Sequence, residues 1–296
     1  MGKLKKRSVK QNIIAIVYDF DGTLSPHNMQ EETIFKDYGV RKDEIWQKAD
    51  HLVASGYERT LAYLKLLIHD KAFKEHPLKR DRLRHLARHI TYFPGVPTFF
   101  PMIERELEKM AGVTEWGISI EHYLVSSGMV EILEGTRIFK YFTKAYACEY
   151  EYGMSGPIFP KLVINDTNKT QFLFRINKGK LNLREDINSH MPEQQRRIPF
   201  RNMIYIGDSI TDIPSMTVMQ RYGGHAIAVF DPSRKLPRRV MEMVKEKKVD
   251  HFAPADYRKN ALLVKIIRTV LRKIVSSIVY RGSAGMSFDW VQSADE

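Results

Sequence analysis

Asp19 and Asp21 stand two apart where an apolar run, Ile13-Ile-Ala-Ile-Val-Tyr18, gives way to Gly22 and Thr23. Side chains two apart on an extended segment point the same way, so the two carboxylates share a side while Phe20 turns aside. Like charges in one buried pocket are costly unless a cation or a proton joins them. A carboxylate so placed can act as a nucleophile and form an aspartyl-phosphate. A second one, kept protonated by burial or by its neighbour, can protonate a leaving oxygen and later take a proton from water. Asp19 suits the first task and Asp21 the second.

Other residues extend that chemistry. Ser126 or Ser127, beside Gly128 and with backbone N–H groups nearby, can bind a phosphoryl oxygen. Lys169 can neutralise the charge spread over that group. Asp208, with Asp212 behind it, joins Asp19 in an oxygen-only set. Such a set suits Mg²⁺, which takes few carboxylates together with water and substrate phosphate.

These residues need a scaffold that delivers them to one place. The run before Asp19 is short, rich in β-branched residues and closed by a turn signal, so it predicts a strand buried on both faces. Ile118 to Val125 predicts a second strand, ending at Ser126-Ser127-Gly128. Met203 to Ile206 predicts a third, ending in Gly207-Asp-Ser-Ile-Thr-Asp212, and Ala226 to Phe230 a fourth, ending at Asp231-Pro232. Segments near 145–152 and 157–164 alternate around a hairpin turn at Gly153-Met-Ser-Gly156. Helices are expected from about Thr98 to Met110, from Met129 to Gly135 and from Lys169 to about Asn177. Strands alternating with helices imply a mostly parallel sheet covered on both faces: an α/β, three-layer, Rossmann-like core. In such sheets ligands bind beyond the carboxyl ends of the strands, where the carboxylates stand.

The chain divides accordingly. Residues 27–91 are helix-rich and return through Pro94-Gly95, so they are expected to form an inserted helical unit. The core then takes 13–26 and 92–282. The ends, 1–12 and 283–296, are expected to be tails, with Met1–Lys10 and Ser283–Glu296 disordered. Residues 179–201 are polar and predict a surface excursion.

Composition excludes several classes. The 296 residues carry a formal net charge of +12, and the excess is uneven. Residues 1–10 hold five basic side chains and no acids, and 234–281 hold fourteen basic and four acidic ones, whereas 11–233 have 28 of each. The segment that carries the chemistry is neutral, which argues against a groove built to follow a nucleic-acid backbone. Cys148 is the single cysteine, so no intrachain disulfide forms. The basic start lacks the apolar region of a secretory signal, and a reducing cytoplasm is the expected location. No apolar run reaches the roughly 18 residues of a membrane span.

The motifs Asp-Phe-Asp-Gly-Thr at 19–23, Val-Ser-Ser-Gly at 125–128, Lys169, and Gly-Asp-Ser-Ile-Thr-Asp at 207–212 occur in the order seen in the haloacid dehalogenase superfamily. Within it the chain resembles the phosphatases of the phosphoserine phosphatase type. The resemblance implies Asp19 as nucleophile and metal ligand, and Asp21 as general acid/base that ligates through its backbone carbonyl. It implies Asp208 as the third protein ligand of Mg²⁺ and Asp212 as support for the loop and the metal's water shell. It favours Ser126 for the phosphate, with Ser127 as the alternative, and likens 27–91 to a helical cap of the first cap class. The family's dehalogenases lack the second aspartate, so Asp21 implies phosphate-ester chemistry. Lys161 and Lys178 are rivals for the third motif, but the first falls in a predicted strand and the second late in a helix. The phosphoserine enzymes carry a glutamate early in the cap; Asn28 stands there in this chain, with Glu31 and Glu32 offset, which argues against phosphoserine itself.

Other features have simpler readings. His85 and His89, the one histidine pair four apart, sit in a basic helix face and are expected at the surface. Cys148 is expected in the core. Trp46, Tyr57, Tyr63 and Phe73 recur at helical spacing and are expected to pack, although they can line a pocket. The amphipathic stretch 260–280 is expected to dock on the sheet through Leu263, Ile267, Val270, Leu271 and Ile274. The expected protein is a cytoplasmic Mg²⁺-dependent phosphatase acting on a small phosphate monoester, with neither nucleic acid nor stable membrane association as partner and a homodimer left open. The alternatives are a phosphatase of nucleic-acid ends and a non-catalytic binding protein of the same fold.

Overall fold

A computed structural model describes residues 10–208, 210–235 and 238–294. The apolar runs become strands of one sheet: β1 (Ile13–Tyr18), β2 (Ser119–Met129), β3 (Phe142–Gly153), β4 (Gly156–Leu162), β5 (Met203–Gly207), β6 (His225–Phe230) and β7 (His251–Pro254). Their order is β4-β3-β2-β1-β5-β6-β7. All neighbours are parallel except β3 and β4, which form the expected hairpin. β1 is the middle strand, and Ile14 through Tyr18 are fully buried, as its unbroken apolar run requires. From β1 the chain adds β2 and β3 on one side, then crosses to add β5, β6 and β7 on the other. That reversal opens a crevice beyond the carboxyl ends of β1 and β5.

Between β1 and β2 lie a short π-helical turn (Glu31–Phe35) and the helices α1 (Lys42–Ala54), α2 (Arg59–His69), α3 (Lys71–Lys74) and α4 (Arg80–Leu86). Glu58 caps α2 by accepting from Leu61 N–H, and Asp70 caps α3 by accepting from Ala72 N–H. The two crossings into this unit run side by side, with Phe93 N–H donating to the Leu24 carbonyl at 3.0 Å. The β3–β4 hairpin leans on the same helices: the Tyr150 hydroxyl donates to the Leu64 carbonyl and Arg80 pairs with Glu149.

The covering helices are α5 (Val96–Glu108), α6 (Val113–Trp116), α7 (Val130–Glu134), α8 (Lys169–Lys178), α9 (Ile213–Arg221), α10 (Arg238–Lys245) and α11 (Leu262–Ala294). As the amphipathic pattern predicts, α11 docks through Leu263, Ile267, Val270, Leu271 and Ile274, all buried, and Arg268 pairs with Glu106 of α5. It does not stop at Ser283, where a disordered tail was expected: no proline breaks it and it stays helical to Ala294. At the other end, residues 1–9 of the expected tail lie outside the described residues. Gln11 and Asn12 are fixed, their side-chain amides donating to the carbonyls of Glu193 and Trp116.

Residues 179–201 hold neither strand nor α-helix. The Arg175 guanidinium binds the carbonyl of Asn182, and the Lys178 ammonium binds those of Ile187 and Ser189, which ties the excursion to α8. β7 has only four residues, two of them exposed, too short for a periodic signal. No helix among the described residues is long and apolar enough to cross a membrane.

Candidate active site

The site begins where β1 runs out. Asp19 N–H still donates to the Ile206 carbonyl of β5 at 3.0 Å, holding its backbone in the sheet. The Phe20 carbonyl then accepts from the N–H groups of Thr23, Leu24 and Ser25, winding the chain into one tight turn. Gly22 sits in that turn at φ +78°, and a Cβ there would collide with the Asp208 carboxylate. Glycine is required both for the left-handed backbone and for this approach. The turn is fixed from below by the Tyr257 hydroxyl, which donates to the Thr23 carbonyl at 2.9 Å.

Lys169, the first residue of α8, is 1 % exposed, and its Nζ lies 2.9 Å from Asp212 Oδ1 and 3.1 Å from Asp19 Oδ1. Asp212 is fully buried; its Oδ1 also accepts from the Tyr205 hydroxyl at 2.7 Å and its Oδ2 from Asp208 N–H at 3.2 Å. Asp212 therefore holds both the lysine and the loop that carries Asp208. Gly207 makes room for it, since a Cβ there would strike the Asp212 carboxylate. The rival lysines are elsewhere: Lys161 pairs with Glu149 on the hairpin, and Lys178 serves the 179–201 excursion.

From β2 come Ser126, whose Oγ accepts from Gly128 N–H at 3.0 Å, and Ser127, whose carbonyl accepts from the Tyr63 hydroxyl at 2.6 Å. Both serines line the same cavity as Asp19, Asp21, Lys169 and Asp208. Asp21 Oδ1 accepts from Met29 N–H at 2.9 Å, and the Met29 side chain fills the space that the missing side chain of Gly128 leaves.

Charge is balanced tightly. Burial pushes the Asp19 carboxyl up to about 6; Lys169 opposes this and Asp212 adds to it. Burial, and then the charge of Asp19, pushes Asp21 well above the carboxylate range, the state a proton donor needs. Burial works against the Lys169 ammonium, but Asp19 and Asp212 outweigh it and hold the group above its ordinary value. Carboxylate oxygens of Asp19, Asp208 and Asp212 lie within 4.8 Å of one another, a hard, all-oxygen donor set that fits Mg²⁺. Asp212 spends both oxygens on Lys169, Tyr205 and the Asp208 amide. The Asp21 carboxylate, turned to Met29, lies outside that set.

The cavity, about 560 Å³, extends under the helical unit and takes in residues whose part the sequence pattern did not reveal. Glu31, which looks offset from the Asn28 position, lines it together with Asn28. Its Oε1 accepts from Asn28 Nδ2 and from Trp46 Nε1, both at 2.8 Å. The i, i+3 spacing of Asn28 and Glu31 was the available signal. Glu32 instead accepts from Thr91 N–H, away from the cavity. Of the four aromatic residues expected to pack, Trp46 and Tyr63 also line the cavity and Phe73 is buried in the core, whereas Tyr57 is exposed. Cys148 is buried and His85 and His89 are exposed, as expected.

No family model matches the chain. An uncharacterized protein of Borreliella burgdorferi is 27 % identical over 294 residues, covering 91 % of this chain and 99 % of that one. Among solved structures, a HAD family hydrolase of Salmonella enterica serovar Typhi superposes with a TM-score of 0.52 at 17 % identity, over 84 % of this chain and 69 % of that one. A phosphoserine phosphatase, solved as a phospho-aspartyl intermediate analogue, gives 0.53 at 16 % identity over 87 % and 99 %. A probable phosphoserine phosphatase from Vibrio cholerae gives 0.55 at 12 % identity over 94 % and 69 %. Identities this low speak for the fold.

Proposed function

We propose that this chain, which has the haloacid dehalogenase fold in its phosphoserine phosphatase-like form, is a phosphatase that hydrolyses a small phosphate monoester through an aspartyl-phosphate. The observation that carries the reading is Lys169 held between Asp19 and Asp212 at the carboxyl ends of β1 and β5, with Asp21 beside them. Asp19 attacks phosphorus in line as the ester P–O bond breaks, and Asp21 protonates the leaving oxygen. Asp21 then takes a proton from water as the water oxygen attacks phosphorus. The Asp19–phosphorus bond breaks, inorganic phosphate leaves and the free carboxylate returns.

Lys169 balances the charge of the phosphoryl oxygens, and Ser126, with Ser127 as the alternative, binds one of them through hydroxyl or backbone N–H. Asp19, Asp208 and the Asp21 carbonyl would hold Mg²⁺, which would supply further charge stabilisation there. Asp212 positions Lys169 and the Asp208 loop. We assign 27–91 as a cap: α1 and α2 roof the cavity with Trp46 and Tyr63, which limits the substrate to a small molecule. That roof speaks against a nucleic-acid end as substrate. Glu31 gives the cavity the early acidic group that Asn28 alone lacked, and it already faces the Lys42 ammonium at 3.6 Å.

The test is phosphate release from a panel of small phosphoesters, with Mg²⁺ or with chelator, by the wild-type protein and by Asp19→Asn. Metal-dependent release that disappears in Asp19→Asn is expected. Release that persists in the variant removes Asp19 as nucleophile, and silence of the folded wild-type protein across the panel favours a binding role.

A further inference from the structure

A second cleft of about 440 Å³ adjoins the proposed phosphoryl site and shares Gly22, Pro26, Asp208 and Arg234 with it. Its outer wall is the turn after β6 and the start of α10, which contribute Lys235 and Arg238 beside Arg234. Among the described residues its lining carries two carboxylates, Asp208 and Asp231, so three cations face two anions. The mouth under the helical unit is more evenly balanced, with Lys42 and Arg59 against Glu31 and Asp166.

The cations of the second cleft are available to a ligand. Arg234 Nε lies 3.3 Å from Asp231 and Arg238 Nε lies 3.0 Å from Glu242, with the two arginine side chains 73 % and 87 % exposed. Exposed pairs of this kind are weak, so a phosphate dianion can displace them. Guanidinium groups bind phosphate through paired, charge-assisted hydrogen bonds, whereas each arginine here approaches its carboxylate through Nε. Arg234 lines both spaces, so a substrate that reaches from the phosphoryl site into the second cleft passes it.

Resting on the phosphatase reading above, we propose that this cleft holds a second phosphate group of the substrate, which makes the substrate a small bisphosphorylated molecule. One phosphoryl group stands over Asp19, and the other is bound by Arg234, Lys235 and Arg238.

The experiment compares kcat/KM for a sugar bisphosphate, the matching sugar monophosphate and p-nitrophenyl phosphate, using the full chain and an Arg234→Ala/Arg238→Ala variant. The wild-type protein is expected to prefer the bisphosphate to the monophosphate by at least about tenfold, the size of one hydrogen-bonded contact to a charged group. The double variant is expected to lose most of that preference, and Arg234→Glu to lose it entirely. Turnover of p-nitrophenyl phosphate without any bisphosphate preference overturns this inference while leaving the phosphatase reading intact. A preference that survives in the variants overturns it as well. Activation of monophosphate hydrolysis by added inorganic sulfate would make the cleft a free-anion site and overturn it. Failure of the folded wild-type protein to release phosphate from any of the esters overturns both readings.

Discussion

Lys169 Nζ lies 3.1 Å from Asp19 Oδ1, with the two side chains only 1 % and 8 % exposed. An ammonium and a carboxylate so far from water are stable only as a pair, and Asp212 on the other side of the lysine makes the arrangement a triad. Replacing Lys169 by methionine leaves two buried carboxylates without their cation. Destabilisation of about 3–5 kcal/mol in denaturant unfolding is expected. Phosphate release should fall by at least about a hundredfold. An unchanged unfolding midpoint would contradict the pairing.

Gly22→Ala tests the approach of the β1 turn to Asp208. The left-handed backbone alone penalises alanine by roughly 1–2 kcal/mol. The added methyl also collides with the Asp208 carboxylate. Weaker Mg²⁺ binding by titration calorimetry is expected, together with lower turnover. Wild-type Mg²⁺ affinity in a folded Gly22→Ala protein would remove Asp208 from the ligand set.

Tyr63→Phe removes the hydroxyl that ties α2 to the Ser127 carbonyl. A loss of about 0.5–1.5 kcal/mol is expected, as for one intramolecular hydrogen bond. Hydrogen exchange should quicken in α2 while β1 and β5 keep their protection. Uniform quickening across the sheet would mean that the contact serves the whole fold rather than the roof.

His122 provides an acid-stability test away from the site. Burial lowers its pKa to about 3. Nδ1 lies 2.9 Å from the Tyr18 hydroxyl, and Nε2 is 3.8 Å from Glu104. The unfolded chain takes up this proton near pH 6.5. Between the two values the unfolded state binds more protons, so stability contributed by the neutral ring is complete above about pH 6.5 and is lost as pH falls toward 3. The slope approaches about 1.4 kcal/mol per pH unit. His122→Gln keeps a hydrogen-bonding side chain but does not titrate, and its melting temperature should fall less steeply with acid. Parallel pH profiles would assign acid sensitivity to other groups.

Truncation before Asn260 removes the apolar face of α11 from the core. Leu263, Ile267, Leu271 and Ile274 are each buried by it, and losing one such side chain to alanine costs about 2–5 kcal/mol. Insoluble protein is expected on expression. A soluble, folded truncation would show that the sheet needs no cover on that side.

The amino-acid sequence by itself determined which strands form and what stands at their ends. Unbroken apolar runs such as 13–18 and 203–206 must be buried on both faces, and each stops at residues too polar to continue, so Asp19, Ser126 and Asp208 were legible as strand-end groups. The apolar face of the last helix was legible for the same reason: a period of 3.6 leaves one stripe that water rejects. A short edge strand such as β7 carries too few residues for any period, and the end of α11 had no breaker to mark it.

Tertiary structure alone decided what depends on distance between segments far apart in the chain. It placed the Lys169 ammonium between Asp19 and Asp212, the latter 43 residues away, where the sequence offered only a preference over Lys161 and Lys178. It gave Glu31 to the cavity and turned Glu32 to the Thr91 amide, although the two are neighbours in sequence. It set Arg234 beside Asp208 and Gly22, which no local pattern announces. Periodicity reports only which face of one element avoids water, whereas a site is made by several elements converging, and their convergence is fixed by packing.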